Sequence, residues 1–92
     1  MTPNRSSGRY EVTFTTPARK QLLKLELHAR VRILRTLDLL ADNPRPPGST
    51  QLVGGAGERR VRAGDYRIVY EVNGGELIVL VLRVAHRREV YR

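Results

Sequence analysis

The sequence predicts an α+β domain in which two helices cover one face of a mostly antiparallel sheet. Three observations support this: an alternating strand pattern near the start, a helical pattern in the first half, and three strand-like segments joined by short turns in the second half. The chain has 92 residues, so a single domain is expected. We predict that residues 9–92 form this domain and that the polar residues 1–8 form a flexible tail.

The first strand is predicted over Tyr10–Thr15, where large apolar side chains alternate with polar ones. A helix start follows at Thr16 and Pro17. A hydroxyl can cap the first turn of a helix, and proline lacks only an N–H that this turn cannot use. The chain is therefore expected to change from strand to helix at this point.

Residues 18–42 repeat apolar side chains at spacings of three and four, which is typical of a helix. The repeating positions are Leu27, Val31, Leu34, Leu37 and Ala41. One helix of this length would be long for so small a domain, so we expect a hairpin of two helices that breaks near Glu26–Ala29. The second helix should end before Pro44, because a proline disfavours helix in the residue that precedes it.

Three strands are predicted after a loop at residues 45–57. They are Arg59–Ala63, Tyr66–Val72 and Leu77–Val84, joined by turns at Gly64–Asp65 and Asn73–Gly75. The last strand is apolar on both faces except for Arg83, which favours a central position in the sheet. The predicted element order is β-α-α-β-β-β, and periodicity alone does not place the first strand within the sheet.

Lys and Arg number 17 against 9 Asp and Glu, and most of the basic residues are arginines. Because arginine binds phosphates through planar, bidentate contacts, the net charge of +8 favours nucleic acid or an acidic protein as the partner. The absence of cysteine excludes disulfides and thiolate metal sites. His28 and His86 with scattered acids make a poor metal site, so no metal and no cofactor are expected.

No signal-peptide-like segment opens the chain, and no apolar run approaches the roughly 18 residues of a membrane-spanning helix. We therefore expect a soluble, cytoplasmic protein with no membrane contact.

Arginine, histidine, tyrosine and glutamate side chains around one sheet can cleave RNA without a metal. The ribose 2′-OH attacks the adjacent phosphorus, and cations stabilise the charge on the phosphate oxygens. A base activates the hydroxyl, and an acid protonates the leaving oxygen. DNA lacks the 2′-OH, so this chemistry would select RNA.

Two segments carry a family resemblance. Residues 62–70 read RAGDYRIVY, and residues 84–91 read VAHRREVY. The turn with G-D-Y-R and the closing H-R-x-x-V-Y resemble the RelE branch of the RelE/ParE toxin superfamily. The likeness covers nearly all of Tyr10–Tyr91 and implies the RelE-like β-α-α-β-β-β fold.

The resemblance implies a toxin of a type II toxin–antitoxin system that cuts mRNA in the ribosomal A site without a metal. The partners that it implies are a cognate antitoxin that inactivates the toxin, the ribosome with its mRNA and rRNA, and operator DNA only together with the antitoxin. The alternative function is that of a ParE-like toxin that poisons DNA gyrase, because the two branches share a fold. A catalytically degenerate relative that only binds antitoxin is a third possibility.

By position, the resemblance assigns roles to individual residues. Arg67 matches the arginine that contacts the phosphate, Arg87 the one that stabilises or protonates the leaving group, and Tyr91 the tyrosine that stacks on the base or orders the 2′-OH. His86 completes the predicted catalytic set. The predicted RNA-binding residues are basic residues of the strand before the turn and of the C-terminal segment: Arg59, Arg60, Arg62 and Arg88. Without the resemblance, Arg67 could form an ion pair with Glu71 on its own strand face.

The general base is unassigned by the resemblance. Arg60 stands where relatives have the lysine proposed as the base, and a guanidinium stays protonated. The candidates are His86 and Tyr91, with Glu58 a weaker one.

Overall fold

The computed structural model describes residues 9–52, 57–86 and residue 88, so the predicted tail at residues 1–8 lies outside the described residues. The elements are β1 (Glu11–Phe14), α1 (Thr16–Leu23), α2 (Leu27–Asp42), β2 (Thr50–Gln51), β3 (Glu58–Ala63), β4 (Tyr66–Asn73) and β5 (Ile78–His86). The predicted α+β class and element order are confirmed. The addition is β2, a two-residue strand inside the segment that we expected to be a loop.

The strands form one sheet in the order β1-β5-β4-β3-β2. The meander of β3, β4 and β5 is antiparallel, as predicted, and its two-residue turn contains Gly64 at a φ of +65°, where glycine carries no steric penalty. Periodicity could not place β1, which lies beside β5 and parallel to it, with Phe14 opposite Val81. The second turn is longer than predicted: Leu77 belongs to it, with a φ of 58°, so β5 starts one residue later.

The first helix is capped by Thr15 and not by Thr16 as we predicted. The Thr15 hydroxyl accepts a hydrogen bond from the Ala18 N–H at 3.2 Å and donates one to the Leu82 carbonyl at 2.9 Å. The hairpin also breaks earlier than expected, because Lys24 ends α1 and the extended residue Glu26 precedes α2. Through its two hydrogen bonds, the Thr15 hydroxyl joins the start of α1 to β5.

Both helices pack on the same face of the sheet and form the core with it. Their core residues include Leu22, Ile33 and Leu37, which pack with strand residues of β3, β4 and β5. Tyr70 is fully buried there, and its hydroxyl donates a hydrogen bond to the Pro44 carbonyl at 2.7 Å, which ties the segment after α2 to the sheet. No helix within the described ranges is long and apolar enough to cross a membrane.

The predicted apolar face of the second helix is partly wrong. The residues of α2 that are buried are Ala29, Ile33, Leu37, Leu40 and Ala41. Leu27, Val31 and Leu34, which we expected on the same face, are 64%, 37% and 46% exposed. The helix carries two apolar stripes, and spacing alone could not tell which one faces the sheet.

A β-bulge on β5 changes which side chains face the helices. Val69 pairs with Arg83 while its neighbour Tyr70 pairs with Val81, so Leu82 is an extra residue on β5. Val81 and Val84 are therefore both buried, although they are three positions apart, and Arg83 is exposed. Simple alternation would have placed Arg83 on the helix-covered face with Val81.

Candidate nucleic-acid interface

The face of the sheet opposite the helices carries a group of arginines at one end. Arg62 on β3 lies directly opposite Arg67 on β4, and Arg60 and Arg83 flank Val69 from either side. Residues directly opposite each other in an antiparallel pair have Cα atoms roughly 4.5–5.5 Å apart, and the next pair along lies about 6.8 Å away. We call Arg60, Arg62, Arg67 and Arg83 the arginine patch, and the sheet face that bears it the open face.

The guanidinium groups of the patch are not neutralised by acidic side chains of the described residues. Within the described ranges, ion pairs join only Arg9 to Asp38 and Asp42, each at 2.5 Å. The hydrogen bond to Asp42 raises the pKa of Arg9 most, and the one to Asp38 raises it further. The patch arginines have no such partner among the described residues. Their donors remain available to an anion, and a planar guanidinium fits the paired oxygens of a phosphate.

Val69 shows that the patch is anchored to the sheet. It is only 5% exposed, although it lies on the open face and outside the core that the helices build. Its cross-strand neighbours are Arg60 and Arg83. The aliphatic stems of arginines can cover an apolar residue while their heads stay in water. We infer that the stems of Arg60 and Arg83 cover Val69 and that their guanidiniums lie at the surface.

Two cross-strand pairs on the open face consist of like charges. Arg62 faces Arg67, and Glu58 faces Glu71. Like charges directly opposite each other destabilise a sheet by a few tenths of a kcal/mol up to about 1 kcal/mol. The alternative ion pair between Arg67 and Glu71 does not form, because residues four apart on one strand are separated by about 13 Å. Local rules are broken in this way where a protein surface serves a ligand.

Arg59 does not belong to the patch. It lies on the opposite side of β3 from Arg60 and Arg62, and its Nε and Nη2 donate hydrogen bonds to the Ser49 hydroxyl at 3.2 and 2.9 Å. Arg59 pairs with Tyr70 across the sheet, on the helix-covered face. Its contacts hold the segment before β2, so the structure gives it a positioning role.

His86 also lies on the helix-covered face. Its ring stands edge-on to the ring of Tyr66, with centroids 5.1 Å apart and planes at 87°. It lines a cleft of about 420 Å³ between the β3–β4 turn and the start of α2, together with Arg32 and His28. The sheet separates this ring from the guanidinium of Arg67. No three His, Asp or Glu side chains of the described residues come together as metal ligands.

The remaining predicted residues lie at the C-terminal end, except for Glu58 on β3. Arg88 is exposed, and its backbone N–H donates to His86 Nδ1 at 3.2 Å. Arg87 and Tyr91 lie outside the described residues. Glu58, the weaker candidate for the base, is on the same face as the patch and two residues from Arg60.

Known proteins resemble this chain in both sequence and fold. The family model for the ParE toxin of the type II toxin–antitoxin system parDE matches residues 12–91. Toxin RelG of Mycobacterium tuberculosis is 33% identical over 84 residues, which cover 90% of this chain and 97% of RelG. The chain belongs to the RelE/ParE family of type II toxins. The expected resemblance to its RelE branch is thereby confirmed.

Solved structures of RelE toxins agree with this assignment. The toxin–antitoxin complex RelBE2 from Mycobacterium tuberculosis matches with a TM-score of 0.77 and 32% identity, covering 86% of this chain and 99% of that one. The intact RelBE toxin–antitoxin complex of Escherichia coli matches with a TM-score of 0.74 and 26% identity, covering 84% of this chain and 95% of that one. These RelE toxins were therefore observed together with an antitoxin.

Sequence reasoning missed Arg83 and Glu71 as residues of the RelE-like open face. Arg83 was visible as the lone charge in an apolar strand, but only the bulge at Leu82 brings it to the patch. Glu71 was considered only as an ion-pair partner. Its position opposite Glu58 needed the pairing register of β3 and β4.

The repulsion between Arg62 and Arg67 is predicted to lower the stability of the fold. Arg62→Glu should raise the free energy of unfolding by about 0.2–1 kcal/mol at low salt, because it places a carboxylate opposite Arg67. Urea unfolding followed by circular dichroism measures this change, and Arg62→Gln is the matched control with an intermediate effect. The gain should fade in high salt, where exposed charges are screened. A variant less stable than the parent at low salt would contradict the prediction.

Proposed function

We propose that this RelE-family toxin is an endoribonuclease that cuts ribosome-bound mRNA without a metal, using the 2′-OH of the substrate. The observation that supports the proposal is the arginine patch, whose residues share one open face and whose guanidiniums form no ion pair with the described residues. Arginine donors that lie around a phosphodiester stabilise the charge that builds up on its oxygens during cleavage. The net charge of +8 draws the protein toward the polyanionic ribosome.

In the proposed reaction, the 2′-oxygen forms a bond to phosphorus and the bond from phosphorus to the 5′-oxygen breaks. The proton of the 2′-OH goes to a base, and an acid returns a proton to the departing 5′-oxygen, leaving a cyclic phosphate and a free 5′-OH. Arg67 and Arg62 would hold the phosphate oxygens. His86 lies on the opposite face of the sheet, and Glu58 is about 13 Å along β3 from Arg62, so Tyr91 is the remaining candidate for the base. The family resemblance assigns the leaving group to Arg87.

The proposal predicts that removing one patch guanidinium abolishes most of the cleavage. In a translating bacterial extract, the protein should truncate a reporter mRNA, and Arg67→Ala should reduce the rate by about 100-fold, the usual effect of losing one transition-state donor. Arg19→Ala, which removes an exposed guanidinium from α1, is the matched control and should keep the parent rate. Fragments are mapped by primer extension. Equal cleavage by Arg67→Ala and the parent would remove the patch from the mechanism.

Inhibition of DNA gyrase is the second candidate function, favoured by the match to the ParE family model. A gyrase poison would block supercoiling and would leave mRNA intact. Supercoiling of a relaxed plasmid, measured beside mRNA cleavage with the same protein preparation, separates the two functions. Supercoiling inhibition without cleavage would overturn the nuclease proposal. A degenerate toxin would show neither activity and would cause no growth arrest.

We also propose that a cognate antitoxin covers the outer face of α2. The large hydrophobic side chains that are exposed in the described residues all lie on the helical hairpin: Leu23, Leu27, Val31, Leu34 and Leu39. Those of α2 form a strip about 18 Å long, over which two shallow grooves of about 560 and 520 Å³ run. Exposed apolar strips of this kind mark interfaces.

The charges beside this strip indicate the chemistry of its partner. Arg32 and Arg35 line the grooves together with the apolar residues. A second copy of this chain would bring like charges and a further +8 to the interface. An amphipathic helix with apolar residues at spacings of three and four can pack on the strip, and carboxylates beside those residues can pair with the arginines. The operator DNA expected as a partner would then be bound through the antitoxin.

This surface predicts which changes release the toxin from its inhibitor. Leu34→Glu and Leu39→Glu should weaken binding of the cognate antitoxin by at least about tenfold, because each puts a charge into an apolar contact. Calorimetry of the purified pair measures the affinity. Lys20→Glu on α1 carries a similar change of charge away from the strip and serves as the control. Parent-like affinity in both leucine variants would exclude α2 as the docking surface.

A further inference from the structure

The last part of β5 continues past the end of its neighbour β1. β1 ends at Phe14, which pairs with Val81, whereas β5 runs on to His86. Within the described ranges, β5 therefore has no strand partner on that side after Val81. Backbone N–H and C=O groups that leave a sheet ladder need another partner, because an unpaired polar group is costly when it is removed from water.

Side chains from the start of the helical hairpin replace the missing strand. The Thr15 hydroxyl donates to the Leu82 carbonyl at 2.9 Å, and Gln21 Oε1 accepts from the Val84 N–H at 2.8 Å, both in part-buried surroundings. These two bonds hold the backbone on either side of Arg83, directly after the bulge. Thr15 also caps α1, so Gln21 is the residue whose side chain can be changed without removing the cap.

Arg83 extends the arginine patch to a third strand. It pairs with Val69 of β4 and is a diagonal neighbour of Arg67, whose direct partner on β5 is Ala85. Diagonal neighbours of this kind are about 7–8 Å apart, which is within reach of long side chains. Two guanidiniums on adjacent strands can therefore contact one phosphate together. The family resemblance gave no role to Arg83, and the mechanism proposed above does not use it.

The face on which Arg83 lies depends on the bulge. With simple alternation along β5, Arg83 would turn to the helix-covered face and Val84 to the open face. We propose that Gln21 is a positioning residue for RNA binding. By accepting from the Val84 N–H it keeps the bulge in place, and the bulge keeps Arg83 on the open face. Arg83 then binds an RNA phosphate beside Arg67. This inference rests on the RNA-binding face of the proposed endoribonuclease and adds two residues to it.

The salt dependence of RNA binding tests this role. Affinity for a single-stranded RNA oligonucleotide is measured by fluorescence anisotropy at several salt concentrations. Arg83→Gln should lower the slope of log affinity against log salt by about 0.7, the contribution of one phosphate contact. Gln21→Leu changes no charge, yet it should lower the slope by at least about half of this amount. The double variant should bind like Arg83→Gln alone, because both changes remove the same contact.

Two further variants separate positioning from a loss of stability. Tyr70→Phe removes the hydrogen bond to the Pro44 carbonyl and keeps the aromatic ring. Like Gln21→Leu, it should lower the urea midpoint of unfolding, but it should keep the parent slope because the bulge retains both of its hydrogen bonds. Gln21→Glu keeps an oxygen acceptor for the Val84 N–H and should also keep the parent slope.

The outcomes distinguish this inference from the proposed function. If Arg83→Gln lowers the slope and Gln21→Leu does not, the positioning role of Gln21 is wrong. If Arg83→Gln keeps the parent slope, Arg83 makes no phosphate contact and the whole inference is wrong. Cleavage of the reporter mRNA is measured with the same preparations. A parent protein that shows the expected slopes and leaves the mRNA intact would overturn the nuclease proposal and support the positioning role.

Discussion

The pairing register between β3 and β4 is the constraint on which the functional surface depends. It sets Arg62 opposite Arg67 and Glu58 opposite Glu71, so that the open face has a basic end and an acidic end. A shift of this register by one residue would turn every one of these side chains to the other face. The buried side chains of Val61, Ile68 and the other core residues of these strands hold the register in place. Packing on one face thus determines the electrostatics of the other.

The bulge at Leu82 completes the arrangement. It lets Val81 and Val84 both reach the core while Arg83 turns to the open face. The same stretch of β5 is fixed by the Thr15 hydroxyl, which donates to the Leu82 carbonyl, and by Gln21, whose Oε1 accepts from the Val84 N–H at 2.8 Å. The start of the helical hairpin therefore stabilises the point at which the strand changes face. The bulge thus re-aims one side chain of an inner strand, as β-bulges often do.

The sequence allowed every strand except β2, the helical hairpin and the two-residue turn to be predicted, because alternation, spacing and turn residues are local signals. It also placed Arg60 and Arg62 on one strand face, which the register confirms. It could not reveal the face of Arg83, since the bulge arises from packing between distant residues. The buried face of α2 was predicted wrongly for a related reason. Its two apolar stripes have the same spacing, and packing against the sheet decides which of them is buried. His86 lies on the same sheet face as Val84, whereas Arg67 lies on the open face. The predicted catalytic residues that the structure describes are therefore divided between two faces.

The two exposed surfaces have different characters. The open face carries charges that form no ion pair in the described part of the chain, whereas the outer face of α2 carries apolar side chains beside arginines. A polyanion and a protein helix could therefore occupy different sides of this RelE-family toxin. The like-charge pairs reduce stability in the free protein, and binding of the proposed RNA to the open face would offset this cost.

The central claim is that the arginine patch binds RNA phosphates, and the salt dependence of RNA binding tests it most directly. Affinity for a single-stranded oligonucleotide is measured at several salt concentrations for the parent and for two variants with equal net charge. One variant changes Arg60, Arg62, Arg67 and Arg83 to glutamine, and the other changes Arg19, Arg30, Arg32 and Arg35. The patch variant should lower the slope of log affinity against log salt by about 2–3, since each phosphate contact contributes about 0.7. The helix variant should keep most of the parent slope. Equal losses in both variants would show that binding follows net charge alone and would contradict the account.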